Sequence, residues 1–559
     1  MLINEWEIWV TFAAYFLDPI VDLQKVAQNL VQSGLLELAF IDNGTYYWLD
    51  GPSLLTGHAE ISLGANREAA LINAKSPIPS GYAGHVLFDS AYFRFAELKQ
   101  FARARNFPPS YIRGYLGECV LISKDNSYIV YPMIKLYDTG VILVEIRIRS
   151  PKKGITLGRF VDEYINLYKR SFDNVLIPPG LRINAQHAFF LSGKPKPSPI
   201  LPILIRSLSY RFDKDLQNKI SKNTTVEKGG VFNFRYVPLW DSDVIQKERN
   251  DKSKNTDPNF NVYTIRDFAT DIIHAASVAI PGLRRGKSLW LKPNTPLQVG
   301  NFQEGRPHIH LLKFQGQAST ARQNDAKFQN EFGWVLGGAF ENNSKLGKQF
   351  LPKNAREFND YGAYIAEYGT LWAWSKKGIS NKESQKIPNN GGFIYFNQSI
   401  CEMLEYGLML HRRMYELVGS LKSSDLALKA KENLVDLETA MNQVSGYVSI
   451  RNLLLQGWEA MRINKLQTGI SDLIAIRHTE SSEKDARKLS ALQTILSVIF
   501  GVIAIPAFAS GVVKPLWNWL NLSKPYNRNA AELCYFLIAL VLIEVPIYFI
   551  TRSILNKNS

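Results

Sequence analysis

LSALQTILSVIFGVIAIPAFASGVV, at residues 489–513, dominates the predicted architecture, because it contains no charged side chain. A second apolar stretch, LCYFLIALVLIEVPIYFI at residues 533–550, follows it and carries one acid, Glu544. About 20 predominantly apolar residues are enough for a helix to cross a bilayer. The sequence therefore predicts two transmembrane helices at the C-terminal end.

The flanks of these stretches predict how the chain is oriented. The connection at residues 514–532 contains Trp517, Trp519 and Tyr526, which are aromatic residues typical of a membrane interface. The first residues include Glu5 and Glu7 where a signal peptide needs basic residues. We therefore expect a multi-pass protein of the inner (cytoplasmic) membrane, with an external loop at 514–532, a tail at 551–559, and both termini in the cytoplasm.

Composition limits the remaining classes of protein. The chain has 559 residues, a formal net charge of +15 and three widely spaced cysteines, Cys119, Cys401 and Cys534. Such a length predicts more than one folded unit, and the cysteine spacing offers neither a disulfide framework nor a cysteine-based metal site. The positive charge indicates either ordinary membrane-protein topology and solubility, or attraction of a polyanion such as lipid headgroups or a nucleotide-like ligand. No nucleic-acid-binding motif accompanies it, so we expect no direct nucleic-acid contact.

Before the apolar stretches, the pattern is mixed α/β. Residues 128–137 and 141–149 alternate apolar and polar side chains around the turn Asp138-Thr139-Gly140, which predicts a hairpin with one buried and one wet face. A proline-rich segment, SGKPKPSP at residues 192–199, then indicates a linker. We predict an α/β domain at 1–190 and a second α/β region, a sensor or ligand-binding region, at 200–398.

From residue 399 the pattern becomes helical. Residues 477–488 are polar, and pairs such as Glu480 with Lys484 support a helix that continues into the first apolar stretch. We predict a helical stalk at 399–488. The expected fold class is thus a mixed α/β N-terminal domain, an all-α stalk and two C-terminal transmembrane helices.

The first apolar stretch carries small and polar residues along one helical face. They follow one another by four, three, four and three: Ser490, Thr494, Ser497, Gly501 and Ala504. Close packing of membrane helices through small residues explains such a stripe. A pore lined by several copies of the helix explains it equally well. Continuity with a stalk favours the pore, because a simple anchor needs no rigid rod.

This arrangement resembles the CorA superfamily of membrane channels over the C-terminal third of the chain. The segment IPAFASG at residues 505–511 resembles the end of the first span in that family. The family's Gly-Met-Asn signature is absent, since residues 513–516 read VKPL. A lysine at a pore mouth would repel divalent cations if it faced the pore. The resemblance implies a homo-oligomer, a pentamer if CorA-like, whose selectivity differs from that of magnesium channels.

The soluble part is larger than a minimal CorA-like domain. In this respect the chain resembles the CorA-like effectors linked to type III CRISPR systems. That resemblance implies an ion channel opened by a nucleotide second messenger in antiviral defence. Two alternatives stay open: a divalent-cation transporter of the same fold, and a membrane-anchored binding or catalytic module.

Basic side chains supply the candidate ligand-binding residues. An anionic ligand needs basic groups and backbone N–H donors, and LRRGKS at residues 283–288 and the strand-like RPHIH at 306–310 offer them. The candidates are Arg284, Arg285, Lys287, Arg306, His308 and His310. Solvated loop charge and a polar strand face are the simpler interpretation. No third metal ligand follows the histidines and no catalytic motif is present, so we expect no metal, no cofactor and no enzymatic activity.

Overall fold

The chain divides into two compact units, Met1–Ile470 and Ser471–Ser559, which are described separately. The computed structural model describes residues 1–16, 20, 22–63, 70–74, 77–101, 109–123, 126–151, 154–172, 174–178, 237–240, 263–280, 303–340, 346–356, 359–383, 391–420, 431–432, 434–439, 448–474, 505–520 and 528–557.

A large mixed sheet dominates the first unit. Within the described residues it has 15 strands, and its main path runs β16-β17-β15-β1-β9-β8-β6-β2-β3-β4-β5. Neighbours on this path are antiparallel except β15 and β17, which are parallel. Two further strands, β11 and β14, pair with each other in a separate sheet. The described strands are β1 Leu2–Tyr15, β2 Leu38–Ile41, β3 Thr45–Asp50, β4 Ser53–Leu63, β5 Ala70–Ala74, β6 Tyr111–Tyr115, β7 Cys119–Ser123, β8 Asn126–Tyr137, β9 Val141–Arg149, β10 Ile155–Thr156, β11 Ser171–Phe172, β12 Asn174–Ile177, β13 Val237–Trp240, β14 Tyr263–Thr264, β15 Gln303–Phe314, β16 Tyr361–Ala366 and β17 Gly369–Trp374.

Helices cover both faces of this sheet. In the first unit they include α1 Leu23–Gln32, α2 Gly81–Phe101, α3 Leu157–Glu163, α4 Ile265–Ala279, α5 Ala321–Gly337, α6 Lys376–Glu383, α7 Gly391–Ser420 and α8 Val448–Ala460. Several begin at well-formed caps. Thr264 and Asp267 form a reciprocal capping box at the start of α4, and Thr320 and Gln323 do so at α5.

The two faces of the sheet differ in chemistry because side chains alternate along each strand. On β1, Ile8, Val10 and Phe12 point into the apolar core, which they share with residues of α1, α3, α4 and α5. Glu7 and Thr11 alternate with them and are also buried, but on the face that α2 and α7 cover. One face is thus a conventional core, and the other is a buried polar layer.

The predicted hairpin at residues 128–149 is present as β8 and β9. Gly140 closes its turn with a φ of 88° and donates its N–H to the carbonyl oxygen of Tyr137 at 2.9 Å. The expectation of a wet face on β9 is wrong. Glu145 and Arg147 are buried there, because α2 and α7 pack over the side that the alternation had marked as exposed.

The predicted fold class is wrong in its architecture. Strand β1 pairs along most of its length with β15, so the segments 1–190 and 200–398 contribute to one continuous sheet. The N-terminal part of the predicted stalk belongs to α7, which lies against that sheet and the helix α2 instead of extending away from it. The reason is that polar side chains on α7 find buried ionic partners on the strands.

The second unit contains a π-helical turn at Ala509–Val513, helix α9 at Lys514–Trp519 and helix α10 at Arg528–Lys557. Ile505, Ala509 and Val513 pack against Tyr535 and Ala539 in a small apolar cluster. This packing joins the end of the first apolar stretch to the helix that carries the second.

Among the residues that the structure describes, no helix is long and apolar enough to cross a membrane. This finding overturns the predictions of two transmembrane helices, of a multi-pass inner-membrane location and of an ion channel. The lipid bilayer as a partner stays a prediction. Residues 489–504, with the stripe Ser490, Thr494, Ser497, Gly501 and Ala504, lie outside the described residues.

Candidate functional site

The candidate site is the buried polar layer between the sheet and the helices α2 and α7. Its members sit at alternate positions of β1, β6, β8, β9, β15 and β17, and at positions of α2 and α7 that face these strands. They are Glu7, Glu97, Arg113, Lys135, Glu145, Arg147, Arg306, His308, His310, Thr370, Gln398, Glu402 and Glu405. Charged groups are rarely buried unless they are paired, and their concentration in one layer is the most unusual feature of the described chain.

At the centre of this layer lies a carboxylate cluster formed by Glu97, Arg113, Lys135, Glu145 and Glu402. Arg113 donates two hydrogen bonds to the two oxygens of Glu402, at 2.9 and 2.7 Å. Lys135 Nζ donates to Glu402 Oε2 at 2.6 Å and also to Glu97. Three acids therefore share two bases in a region closed to water.

The environment pushes the two central carboxyl groups apart in pKa. Burial raises the pKa of Glu145 to about 8, with the charge of Glu402 adding to the effect and that of Arg113 opposing it. Burial also acts to raise the pKa of Glu402, but the charges of Arg113 and Lys135 outweigh it and lower the pKa to about 2. At neutral pH Glu402 is thus ionised and Glu145 mainly protonated.

A second ion pair extends the layer along β1 and β9. Arg147 donates to both carboxylate oxygens of Glu7, at 2.6 and 3.0 Å, and to Asp89 Oδ2 at 3.2 Å. Its guanidinium carbon lies 4.8 Å from the centre of the Trp9 ring, a cation–π contact. Tyr395 of α7 donates to Asp89, so this pair also fastens α2 and α7 to the sheet.

At the other end lies a histidine cluster formed by Arg306, His308, His310, Thr370 and Glu405. His308 Nδ1 is 3.0 Å from Thr370 Oγ1, which also accepts a hydrogen bond from the indole of Trp372 at 3.1 Å. A hydroxyl, an imidazole and a carboxylate in sequence is the order used to activate a nucleophile. Thr370, His308 and Glu405 are each 0% exposed, however, so solvent does not reach this hydroxyl in the folded chain.

Glu405 is the point at which basic groups converge. Its Oε1 lies 3.1 Å from Arg306 Nη1 and 3.7 Å from His308 Nε2, and the second distance is too long for a hydrogen bond. Arg412 follows Glu405 by two turns of α7, on the same helical face. Burial lowers the pKa of Arg412, and the positive charge of nearby Arg306 lowers it further. Arg412 thus adds a second positive charge near the carboxylate that Arg306 contacts.

Both histidines are neutral at physiological pH. Burial lowers the pKa of His308 to about 3, helped by the charges of Arg306 and His310. Burial also lowers the pKa of His310 to about 4. Neutral imidazoles can offer one donor and one acceptor each, which suits them to orient a polar ligand.

Several atoms of the layer have unused hydrogen-bonding capacity. Within the described residues, His308 Nε2, His310 Nδ1, Glu405 Oε2 and Glu145 Oε2 are buried and have no hydrogen-bond partner. Buried polar atoms are nearly always bonded, so a group of such atoms on one sheet face is a reason to look for function there. Three of the four belong to the histidine cluster.

The structure brings together three of the sequence-predicted ligand-binding residues. Arg306, His308 and His310 lie on one face of β15, pointing toward α7, whereas Lys313 near the end of that strand is largely exposed. Arg284, Arg285 and Lys287 lie outside the described residues. In the part of the chain that is described, no group of three His, Cys, Asp or Glu side chains could hold a metal ion.

Sequence reasoning missed the acids of this site. Glu145 was assigned to a wet strand face, and Glu402 and Glu405 to a helical stalk. A signal was available, since Glu402 and Glu405 are three residues apart and lie on one face of a largely apolar helix. Two acids on an apolar face indicate buried basic partners.

Comparison with known proteins adds no relative. No family model matches the chain, and neither the curated proteins nor the solved structures include a significant match. The resemblance to CorA-like effectors, the homo-oligomer and the antiviral role therefore stay predictions.

Proposed function

We propose that the Met1–Ile470 unit is a ligand-binding module for a small phosphate-bearing molecule of the nucleotide class, bound at the histidine cluster. The observation that carries this proposal is the convergence of Arg306 and His308 on one carboxylate oxygen of Glu405, with Arg412 adding positive charge nearby. An excess of basic groups around one acid is the local electrostatics that an anion requires.

The exposure of these residues decreases from the surface inward. Arg412 is half-buried, Arg306 is 7% exposed, and Glu405 and His308 are fully enclosed. An anion arriving from solvent would meet Arg412 first and Arg306 next. Guanidinium groups bind phosphate through paired hydrogen bonds, and such bonds are strongest where water is excluded.

The first prediction concerns Arg306. Replacing it in Arg306→Gln removes a positive charge but keeps a side chain able to donate hydrogen bonds. We expect at least a roughly tenfold loss of affinity for adenosine monophosphate or adenosine triphosphate, measured by isothermal titration calorimetry on the full chain. Adenosine, which lacks the phosphate, is the matched ligand and should bind weakly to both proteins.

Arg159→Gln is the control for the loss of one positive charge, because Arg159 is exposed and paired only with Glu163 among its described ion-pair contacts. This variant should bind like the unmodified chain. Binding of nucleoside phosphates that Arg306→Gln leaves unchanged, or no binding by the unmodified chain, would overturn the proposed function.

A further inference from the structure

Resting on the proposed function, we propose that Glu405 is an internal substitute for the anionic group of the ligand: it occupies the phosphate position beside His308, and the ligand displaces it from Arg306. Glu405 would then set the affinity threshold of the site. Displacement of Glu405 would also transmit the effect of ligand binding to the C-terminal half of α7.

The geometry shows that Glu405 fills this position poorly. Its Oε1 alone serves Arg306, and the same atom is the one nearest His308. Its Oε2 is buried and has no hydrogen-bond partner among the described residues. Glu402, one turn earlier on α7, uses both of its oxygens in a paired interaction with Arg113. A phosphate, with three or more oxygens, could engage Arg306, Arg412 and His308 together.

Charge leads to the same conclusion. Glu405 brings one negative charge to a position flanked by the two guanidinium groups of Arg306 and Arg412. Burial raises the pKa of this carboxyl and outweighs the lowering effect of Arg306 and Arg412, so an ionised Glu405 is held in this position at the cost of its desolvation. A phosphate monoester carries more charge than a carboxylate at neutral pH. The exchange therefore improves charge balance without requiring a new basic residue.

The helix limits how far the displacement can spread. Before Glu405, α7 is held by Glu402, which contacts Arg113 and Lys135. After Glu405, the same helix is held by Arg413, which donates to the carbonyl oxygen of Thr139. Release of Glu405 would therefore loosen the turns of α7 between these two anchors. Residues of α7 before Glu402 should stay in place.

The test is the variant Glu405→Gln, which keeps the size of the side chain and removes its charge. We expect it to bind adenosine monophosphate about tenfold more tightly than the unmodified chain does, by calorimetry. Glu405→Asp, whose shorter side chain reaches Arg306 less well, should tighten binding by a smaller factor, about threefold. Glu163→Gln is the matched control and should not change the affinity, since Glu163 lies on α3, outside the polar layer.

The two proposals fail in different ways. If the unmodified chain binds the nucleotide, Arg306→Gln weakens binding and both Glu405 variants bind equally or more weakly, the displacement proposal is wrong and the proposed function stands. If the unmodified chain binds no probe, both proposals are wrong. Amide hydrogen exchange gives a second readout: added nucleotide should change exchange within residues 405–413 and leave residues 394–402 unchanged, and uniform change along α7 would contradict the displacement.

Discussion

At the scale of single residues, identical side chains acquire opposite properties from their neighbours. Glu402 contacts two bases at hydrogen-bonding distance, whereas Glu145 accepts from Gln398 at 2.8 Å and meets Arg113 only at 3.8 Å. Burial acts on both acids, but only Glu402 has enough positive charge beside it to stay ionised. The difference is electrostatic and could not follow from residue type.

This difference predicts a pH-dependent effect of Glu145→Gln. The pKa of Glu145 rises in the folded chain from 4.5 to about 8, so the folded state binds the extra proton between these values. Its stabilising contribution is complete below pH 4.5 and is lost as the pH rises through about 8. The glutamine amide introduced by the substitution imitates the protonated carboxyl group. We expect the variant to gain stability relative to the unmodified chain, on the order of a few kcal/mol, between about pH 5 and about pH 9.

Urea denaturation at both pH values measures this gain, with Glu163→Gln as the control for loss of one carboxyl group outside the layer. A difference in unfolding free energy that does not grow with pH would show that Glu145 is ionised in the folded chain. Such a result would contradict the inference that Glu145 is protonated at neutral pH while Glu402 is ionised.

At the scale of elements, α7 is held to the sheet by ion pairs as well as apolar contacts. Its Glu402 joins β6 through Arg113 and β8 through Lys135, and its Gln398 joins β9 through Glu145. Buried ion pairs contribute little net stability, but loss of one partner leaves a charge uncompensated. The pairs therefore select where α7 docks more than they strengthen the docking.

This interpretation predicts a non-additive pair of substitutions. Arg113→Leu should lower the free energy of unfolding by about 3–5 kcal/mol, because Glu402 loses its two paired hydrogen bonds. The double variant Arg113→Leu with Glu402→Leu should recover a large part of that loss, since Lys135 retains Glu97 as a partner. Urea denaturation of both variants measures the coupling, and a double variant less stable than Arg113→Leu alone would contradict this account.

At the scale of the whole molecule, β15 makes the first unit a single structure. It lies between β1 and β17, with antiparallel pairing to one and parallel pairing to the other. The strands of residues 303–374 therefore form one sheet with strands from the first 149 residues. A parallel pair also requires a long connection, which here includes α5 and β16.

The last prediction follows from that pairing. Leu311 of β15 is fully buried in the apolar core, so Leu311→Ala should lower the free energy of unfolding by about 2–5 kcal/mol through lost burial and a cavity. Because the sheet is continuous, amide exchange should accelerate in β9 and β6 as well as in β15 and β17. Acceleration confined to β15, β16 and β17 would show that the sheet unfolds in two independent parts.

Local features of this protein follow from its sequence alone. Alternation around Asp138-Thr139-Gly140 predicted the hairpin, because strand period and turn chemistry act within a few residues. The same alternation assigned Glu145 to solvent, because an exposed polar face and a buried ionic face have one pattern. Long apolar stretches likewise predicted membrane helices that the described structure does not show.

The candidate site, in contrast, exists only in the folded chain. Arg113, Glu145, His308 and Glu405 come from three strands and one helix that are far apart along the chain. Their chemistry depends on burial and on charges a few ångströms away, and neither quantity is encoded in local periodicity. Pairing of β1 with β15 and docking of α7 created that environment, which is why the acids of the site were visible only once the chain was folded.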